Sequence, residues 1–477
     1  MRRAHVLGAW LLVLSLYCPF AGSWRANAAD PDLRKEALRV LKQGATFFRE
    51  KVSRHGGYVY YVSLDLQQRW GEGKAGPDTI FVQPPGTPTV GMAFLKAYSA
   101  TGDSYYLEAA RETAQALVEG QLESGGWTQV VHFAPAPRMG KYRRRKGGDW
   151  NASSLDDGQT QSALTFLIRA DQALAFRNAS IHESALYGLN ALLGVQFPNG
   201  AFPQVWTRPV RRAPVVRARY PDYDWRVEGR IKNYWDCYTL NDGLAGTVAD
   251  TLITAHEVYK DPRYRAAIEK LGDFLLLARM PEPQPAWCQQ YNEAMIPIWA
   301  RKFEPPAVSS WESQDVMETL IRIARYTGKN TYLEPIPRAI DYLRASLLPD
   351  GRLARYYELR TNKPLYMDAS YQLTYDDTSA PAHYGWKQPA RLDAIEHAYN
   401  DARKGIDSPR SRPDDALEPA VRRIVRELDD QGRWVSRFEG EPLVGQPKFA
   451  NGFRYLSSAV FSSNVETLSE YLSTRRR

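Results

Sequence analysis

The sequence predicts a mostly α-helical protein, an (α/α) toroid of helical hairpins with short strands in the connecting loops. Apolar residues recur at spacings of three and four over long stretches of the 477-residue chain, which is the period of a helix with one buried face. Gly or Pro residues end these stretches, as they commonly end helices. Glycine-aromatic segments follow and recur at roughly 65 to 85 residues, a spacing that suits a repeated helical hairpin.

The glycine-aromatic segments indicate where the loops of this toroid lie. In the stretch 196–206, QFPNGAFPQVW, a helical pattern ends at Pro198, Asn199 and Gly200, and aromatic residues follow. Because loops on a rigid scaffold tend to carry function, we expect these segments to gather at one end and line a cleft. Related segments lie at 54–62, 97–127, 258–287 and 325–359.

The two ends of the chain differ from this pattern. Arg2 and Arg3 precede an apolar run at 6–16, and ANAAD then offers a small-residue cleavage site, which predicts a signal peptide over 1–29. The run is short for a spanning helix, so we expect a secreted or periplasmic protein without stable membrane insertion, a retained anchor being the alternative. The less regular segment from about residue 400 is interpreted as the closing part of one catalytic domain over 30–477.

Composition and charge favour an acidic polysaccharide over nucleic acid as the partner. The chain has 13 Trp, 28 Tyr and 16 Phe, and carbohydrate clefts use aromatic faces. Loss of the three arginines of the signal peptide lowers the formal charge from +8 to +5, a balance that still favours an acidic polymer. Basic runs at 138–146 and 208–230 either serve that polymer or are solvated loops. Export and the lack of a nucleic-acid motif argue against nucleic acid.

Several common chemistries have no motif in this chain. It contains no G-x-S-x-G, no P-loop and no H-E-x-x-H. Only Cys237 and Cys288 remain once the signal peptide is removed, without zinc or redox spacing. The sequence leaves open whether these two cysteines form one disulfide or stay as buried thiols.

Two acidic motifs each precede a helical run. Asp156 and Asp157 open one run, and Asn241 and Asp242 open another. Capping of a helix N-terminus is one interpretation, because acids accept its free N–H groups. The other is a cation site, since calcium prefers carboxylate oxygens. Both motifs fall on the predicted loop face, where together they could hold one calcium ion.

Cationic and aromatic residues supply the other candidates. Arg301 and Lys302 precede Glu304 and a double proline, and Arg355 alternates with aromatic residues. A fixed arginine clamps a carboxylate well, because its planar fork matches two oxygens, although pairing with Glu304 or a purely structural role is the alternative. Trp206 either stacks on sugar or packs its loop.

At these stretches the chain resembles the family 10 polysaccharide lyases, the pectate (pectic acid) lyases with an (α/α) toroid fold. The matching motifs run in the family's order and cover roughly residues 90–366. They are GGW-Q at 125–129, LDDGQT at 155–160, QFPNGAFPQVW at 196–206, YTLNDGL at 238–244, WARKFEPP at 299–306 and ARYYELRTNKPLY at 354–366.

The resemblance implies calcium-assisted β-elimination of polygalacturonate. It implies Asp156 and Asp242 as calcium ligands, Arg301 as the base and Arg355 as a ligand of a substrate carboxylate. An arginine with an ordinary pKa above 12 is a poor base at neutral pH, so the role requires a lowered pKa or alkaline conditions. The further candidates for substrate binding are Asp157, which is also a second candidate calcium ligand, Trp206 and Lys302.

The chain departs from the family's pattern in three places. Residues 367–387 keep Tyr384, Gly385 and Trp386 but lack the arginines that the family has there, Thr128 stands where the family favours Pro, and residues 208–230 form an insertion. Two other functions therefore remain open. One is a glycoside hydrolase in which the aspartates act as acid and base, and the other is a non-catalytic binder of acidic polysaccharide.

Overall fold

A computed structural model describes residues 31–210, 214–227, 231–382, 384–406 and 414–474. The predicted signal peptide lies outside these ranges. Within them, no helix is both long enough and apolar enough to cross a bilayer. The α-helices are α1 (Pro31–Phe47), α2 (Thr87–Thr101), α3 (Ser104–Gly120), α4 (Gln159–Ala173), α5 (Ala179–Gly194), α6 (Leu244–Tyr259), α7 (Pro262–Ala278), α8 (Ser310–Thr327), α9 (Ile336–Ala345), α10 (Leu392–Arg403), α11 (Asp414–Glu427) and α12 (Ser458–Thr474).

The strands are short and lie in the long connections. They are β1 (Tyr61–Ser63), β2 (Arg69–Trp70), β3 (Lys74–Ala75), β4 (Thr79–Phe81), β5 (Val130–His132), β6 (Ser153–Ser154), β7 (Val205–Trp206), β8 (Tyr238–Thr239), β9 (Gln290–Tyr291), β10 (Ala307–Ser309), β11 (Leu353–Ala354), β12 (Tyr356–Glu358), β13 (Pro364–Met367), β14 (Leu373–Thr374), β15 (Lys387–Gln388), β16 (Val435–Arg437) and β17 (Arg454–Ser457).

Alternate helices form an inner layer. Helices α12, α2, α4, α6, α8 and α10 pack side by side in that order. The other helices lie outside them, so that α3 contacts α2 and α4, and α7 contacts α6 and α8. This arrangement of hairpins confirms the (α/α) toroid that the sequence predicts.

The connections between helices differ in length on the two faces. A short turn leads from an inner helix to the next outer one, as at 102–103 between α2 and α3 or 260–261 between α6 and α7. Asp103 and Asp261 cap the outer helices there, each accepting a hydrogen bond from a backbone N–H of the first turn. The long loops lead from an outer helix back to an inner one, so they share one face with the inner-helix N-termini. This face is called the loop face below.

Buried tryptophans attach the long loops to the outer helices. The indole N–H of Trp127 donates to the carbonyl of Leu117 at 2.8 Å, and that of Trp287 donates to Leu275 at 2.7 Å. Trp434 makes the corresponding bond to Ile424 at 3.0 Å. Each acceptor belongs to the outer helix that precedes the loop, which explains physically why glycine-aromatic segments recur after helices.

The loop segment QFPNGAFPQVW packs closely against a neighbouring outer helix through a glycine. Gly200 has φ 95°, and a Cβ there would lie 1.9 Å from the carbonyl oxygen of Lys270 in α7. Only glycine therefore fits this turn against the neighbouring helix. Phe202 is buried just beyond it.

The chain closes on itself through a five-stranded sheet. The strand order is β16-β17-β1-β2-β3, so the last long loop pairs with the first. Tyr61 lies opposite Ser457, and the register is antiparallel. Cys237 and Cys288 are both free thiols in the described structure, so they do not form a disulfide with each other.

Replacement of Trp287 by Phe tests the loop attachment. Trp287→Phe removes the indole N–H and leaves a buried carbonyl without its donor, so we expect the free energy of unfolding to fall by about 1–3 kcal/mol in urea denaturation. The exposed Trp150 is the matched control, and Trp150→Phe should change that free energy by less than about 0.5 kcal/mol. Equal losses in the two variants would contradict the proposed attachment.

Candidate active site

Three aspartates meet where two neighbouring inner helices begin. Asp156 and Asp157 lie in the helical turn Asp156–Gly158 that leads into α4, and Asp242 lies in the turn Asn241–Gly243 that leads into α6. One carboxylate oxygen from each aspartate lies within 4.8 Å of those of the other two. Two separate sequence motifs therefore form one acidic cluster on the loop face.

The backbone of both turns is unusual in the same way. Asp157 has φ 45° and ψ 30°, and Asp242 has φ 52° and ψ 36°, so both lie in the left-handed region that non-glycine residues seldom occupy. A left-handed glycine follows each of them and caps the helix without a side-chain hydrogen bond. The interpretation of these acids as helix caps is therefore wrong. The strained turns hold carboxylates together at the cleft instead.

Desolvation and neighbouring carboxylates raise the pKa of two members of the cluster, Asp242 and Asp157. Desolvation, followed by the charges of Asp157, Glu312 and Asp156, raises the pKa of Asp242 to about 8, and Arg355 opposes the shift. Desolvation and the charges of Asp156 and Glu72 raise the pKa of Asp157 to about 6. Bringing ionised carboxylates together costs free energy unless a cation compensates. This all-oxygen donor set could hold a metal ion of the hard class, such as Ca²⁺ or Mg²⁺.

Arg301 lies against the acidic cluster from a loop of the next hairpin. Its Nη2 is 3.3 Å from Asp156 Oδ2, and its Nη1 is 3.6 Å from Glu304 Oε1. The backbone N–H of Arg301 also donates to Glu304 Oε2 at 3.0 Å. Although desolvation acts in the opposite direction, the charges of Glu304 and Asp156 raise the pKa of Arg301 above its ordinary value. Surrounded in this way, Arg301 is a firmly held cation.

Arg355 is a second cation beside the cluster, and it is more deeply buried. Its Nη2 is 3.3 Å from Glu312 Oε1 and 3.8 Å from Asp242 Oδ1. Its guanidinium carbon lies 4.3 Å from the ring centroid of Tyr384. The Nε–H of Arg355 is buried and has no acceptor in the described structure.

A buried polar network connects the two arginines, and sequence reasoning missed it. Gln289 donates from Nε2 to Glu304 Oε1 at 2.9 Å and to Asn241 Oδ1. The hydroxyl of Tyr356 donates to Gln289 Oε1 at 2.5 Å and lies 2.7 Å from the hydroxyl of Tyr384. The network fixes Glu304 beneath Arg301 and Tyr384 against Arg355. In the sequence, Tyr356 is one of the aromatic residues that alternate with Arg355, and Tyr384 is kept from the family's pattern, but nothing indicated that Gln289 joins them.

Lys302 and Trp206, the two other predicted substrate ligands, contact residues outside the acidic cluster. Lys302 is exposed, and its Nζ lies 3.4 Å from the ring centroid of Tyr371. Trp206 is only 4% exposed, and its indole N–H donates to the carbonyl of Ser124 at 2.9 Å. This burial favours the packing of the loop over stacking on a sugar, and a role of Trp206 in substrate binding stays a prediction.

Trp206 helps to position the first acidic motif. Strand β7, which contains Trp206, pairs with β6, where Ser153 lies opposite Trp206. The backbone N–H of Leu155 donates to the carbonyl of Gln204 at 2.8 Å, immediately before Asp156. The aromatic segment of QFPNGAFPQVW therefore forms part of the wall that orients the Asp156 turn.

Three arginines of the basic run at 138–146 make contacts within the protein. Arg143 and Arg144 both pair with Glu183, at 2.6 Å for Arg143. Arg145 donates to the backbone carbonyls of Glu119 and His132. These arginines hold their loop against the neighbouring helices, which favours a structural role for this part of the basic run.

Comparisons with known proteins support the fold and the class of protein. A profile of the pectic acid lyase family matches residues 133–330, a range that includes Asp156, Asp157, Asp242 and Arg301 but not Arg355. The class of protein that this match supports is a polysaccharide lyase. The particular resemblance, to the family 10 pectate lyases, is thereby confirmed. The curated protein sequences include no match to the chain.

Solved structures of several toroid enzymes are similar to this chain. A mutant of the family 10 polysaccharide lyase from Cellvibrio cellulosa, in complex with trigalacturonic acid, is 20% identical over 65% of this chain and 98% of that one, with a TM-score of 0.46. A second structure of that lyase is also 20% identical, over 65% and 94%, with a TM-score of 0.45. Cellobiose 2-epimerase from Bacillus thermoamylovorans is 14% identical over 93% and 100%, with a TM-score of 0.48.

Desolvation of Asp242 and repulsion by its neighbouring carboxylates predict that the variant Asp242→Asn is more stable than the wild type by a pH-dependent amount. Because the pKa of Asp242 is raised to about 8 from an ordinary value near 3.8, its ionisation opposes folding increasingly between about pH 4 and pH 8. In chelator, Asp242→Asn should therefore raise the melting temperature above that of the wild type by an amount that grows over this range. Thermal unfolding at pH 4 and pH 9 measures it, with the exposed Asp222→Asn as control. A difference independent of pH would contradict the raised pKa of Asp242.

Proposed function

We propose that the protein is an exported polysaccharide lyase that cleaves polygalacturonate by calcium-assisted β-elimination. The observation that carries the proposal is the cluster of three aspartates flanked by two arginines, which offers cation ligands and carboxylate ligands side by side. The match to the pectic acid lyase family supports the reaction class. The signal-like N-terminus supports export.

A uronate carries a negative carboxylate, so its binding beside the three aspartates requires positive charge at the cluster. Asp156, Asp157 and Asp242 would hold the calcium ion. Bound there, calcium supplies positive charge that attracts the uronate carboxylate and stabilises the negative charge developing next to it when C5 loses its proton. Arg355 adds a fixed guanidinium beside Asp242 in the same site.

Elimination needs a base for the C5 proton, and Arg301 is the group we assign. The base takes the proton from C5, the electron pair forms the C4–C5 double bond, and the C4–O bond breaks with its electrons on the leaving oxygen. Glu304 holds the backbone and the guanidinium of Arg301 at the edge of the cluster. Because its acidic neighbours raise the pKa of Arg301, the neutral form is scarce, so the reaction is fastest under alkaline conditions.

A glycoside hydrolase is the second candidate, and one observation favours it. With a pKa of about 8, Asp242 keeps its proton at neutral pH and could act as a general acid beside Asp156. Such an enzyme would release new reducing ends without a double bond and would work in chelator. The two arginines at the cluster favour the lyase, since neutral sugars offer them no carboxylate.

The elimination assay distinguishes these functions. Purified protein with polygalacturonate and Ca²⁺ at alkaline pH should produce the ultraviolet absorbance of a C4–C5 unsaturated uronate, and a chelator should abolish it. Arg301→Ala should lower kcat by roughly 10²–10⁴-fold, since the base is lost. Arg338→Ala, at an exposed arginine of an outer helix, is the matched control and should keep full activity. New reducing ends without that absorbance would support the hydrolase instead.

Calcium affinity should depend on both the aspartates and the pH. Because the ion binds the ionised carboxylates, protonation of Asp242 below its pKa of about 8 competes with it, and the affinity should fall steadily from pH 9 to pH 6. Isothermal titration with Ca²⁺ measures this dependence. Asp157→Asn and Asp242→Asn should each weaken binding at least about tenfold, whereas Asp222→Asn should not. Affinity unaffected by either variant would contradict a calcium site at this cluster.

A further inference from the structure

A basic cavity lies in the first long loop, apart from the acidic cluster. It has a volume of about 480 Å³ and lies beside the turn between β2 and β3. Its lining includes three cationic side chains, those of Arg54, Arg69 and Lys74, and the amide of Gln67. None of the residues that line it is acidic. Three positive charges around one cavity form an arrangement that favours an anion.

Arg69 is the most unusual member of this group. It is 3% exposed, and its Nη1 donates to the carbonyl of Pro77 at 2.8 Å and of Gly76 at 3.4 Å. Its Nε and Nη2 are buried and have no acceptor in the described part of the chain. A buried guanidinium with two unpaired nitrogens is costly, and such groups in native proteins usually have a ligand, an ion or a water as partner.

The surrounding charges do not compensate Arg69. Asp78 is an acid whose charge acts on Arg69, but the Asp78 carboxylate contacts His55 Nε2 at 2.7 Å. Desolvation and the positive charge of Arg54 lower the pKa of Arg69 to about 10, against the smaller effect of Asp78. The protein therefore leaves a net positive charge at the cavity.

The cavity is on the same face as the acidic cluster. Glu72, two residues after the end of β2, accepts a hydrogen bond from Gln83 Nε2 at 2.7 Å. The same Nε2 donates to Asp157 Oδ2 at 3.1 Å. One side chain thus connects the β2–β3 loop to the cluster, although the cavity lies outside residues 133–330, which match the pectic acid lyase family.

We propose that this cavity is a second binding site for acidic saccharide, which takes the carboxylate of a uronate residue away from the point of cleavage. The identity of the ligand rests on the proposed function, whereas the preference for an anion rests on the cavity alone. The planar guanidinium of Arg69 matches two carboxylate oxygens, and the exposed Lys74 at the rim adds charge without a rigid geometry. A polymer held at both places is bound more tightly than at either one.

Binding of trigalacturonate in EDTA tests this site without calcium at the acidic cluster. Isothermal titration of the full chain should show binding that weakens at least threefold in Lys74→Gln and at least tenfold in Arg69→Met. Lys35→Gln, at an exposed lysine of α1, is the matched control and should bind as the wild type does. If Arg69→Met does not fold, the double variant Arg54→Gln, Lys74→Gln replaces it, with the same expected loss.

Further measurements separate this proposal from the proposed function. In the elimination assay, Lys74→Gln should raise KM for polygalacturonate and leave kcat unchanged, because the cavity lies away from the reacting atoms. Elimination with unaltered KM and unaltered trigalacturonate binding in the cavity variants would overturn the second site while leaving the lyase intact. Trigalacturonate binding that depends on Arg69, without any elimination, would support the site and refute the lyase. Equal binding of neutral trigalactose or of inorganic sulfate would overturn the assignment to uronate.

Discussion

Electrostatic repulsion among Asp156, Asp157 and Asp242 is the constraint around which the loop face is arranged. Three carboxylates whose oxygens lie within 4.8 Å of one another repel strongly once desolvated. Two arginines from later hairpins partly offset this repulsion, since Arg301 lies beside Asp156 and Arg355 lies beside Asp242. Each arginine also pairs with a buried glutamate, so neither is free to neutralise the cluster completely. The remaining negative charge is what makes the site suited to a divalent cation.

The toroid makes this arrangement possible because every inner helix begins at the same face. Two inner neighbours, α4 and α6, carry the same left-handed Asp-Gly turn before their first residue, so equivalent positions of two repeats come together. The positive ends of the two helix dipoles lie at that face and partly offset the acids. A single hairpin could not form such a site, because the ligands come from separate repeats. Repetition of one structural unit has therefore produced a chemically specific cluster.

Much of the fold was predictable from the sequence, because it depends on local signals. The helical periods, the capping acids of the outer helices and the glycine-aromatic loops are all short-range patterns. The meeting of Asp157 with Asp242 was predictable only through the repeat, since the two are far apart in sequence. Whether they cap a helix or face a cleft depends on a positive φ at each aspartate, which the sequence does not display.

Burial and long-range pairing account for what sequence reasoning missed. Trp206 and an aromatic residue on a sugar platform look alike in a sequence, and only the packing of β7 against β6 shows that the ring is covered. Gln289 and Glu312 carried no motif, although both are buried and each contacts a group next to the cluster. Their role follows from the need to satisfy buried polar groups, a condition that applies to the folded chain as a whole.

The chemistry of Arg301 follows from the same balance of charges. As long as Asp156 and Glu304 are its uncompensated neighbours, they stabilise the charged guanidinium and disfavour the neutral form that could take a proton. Any positive charge brought to the aspartates reduces that stabilisation, and it does so at the place where a substrate carboxylate would bind. Under the proposed function, cation binding, substrate recognition and activation of the base would all be coupled through the Asp156–Arg301 contact. Such a coupling would suit an acidic cluster, rather than a basic one, to an acidic polymer.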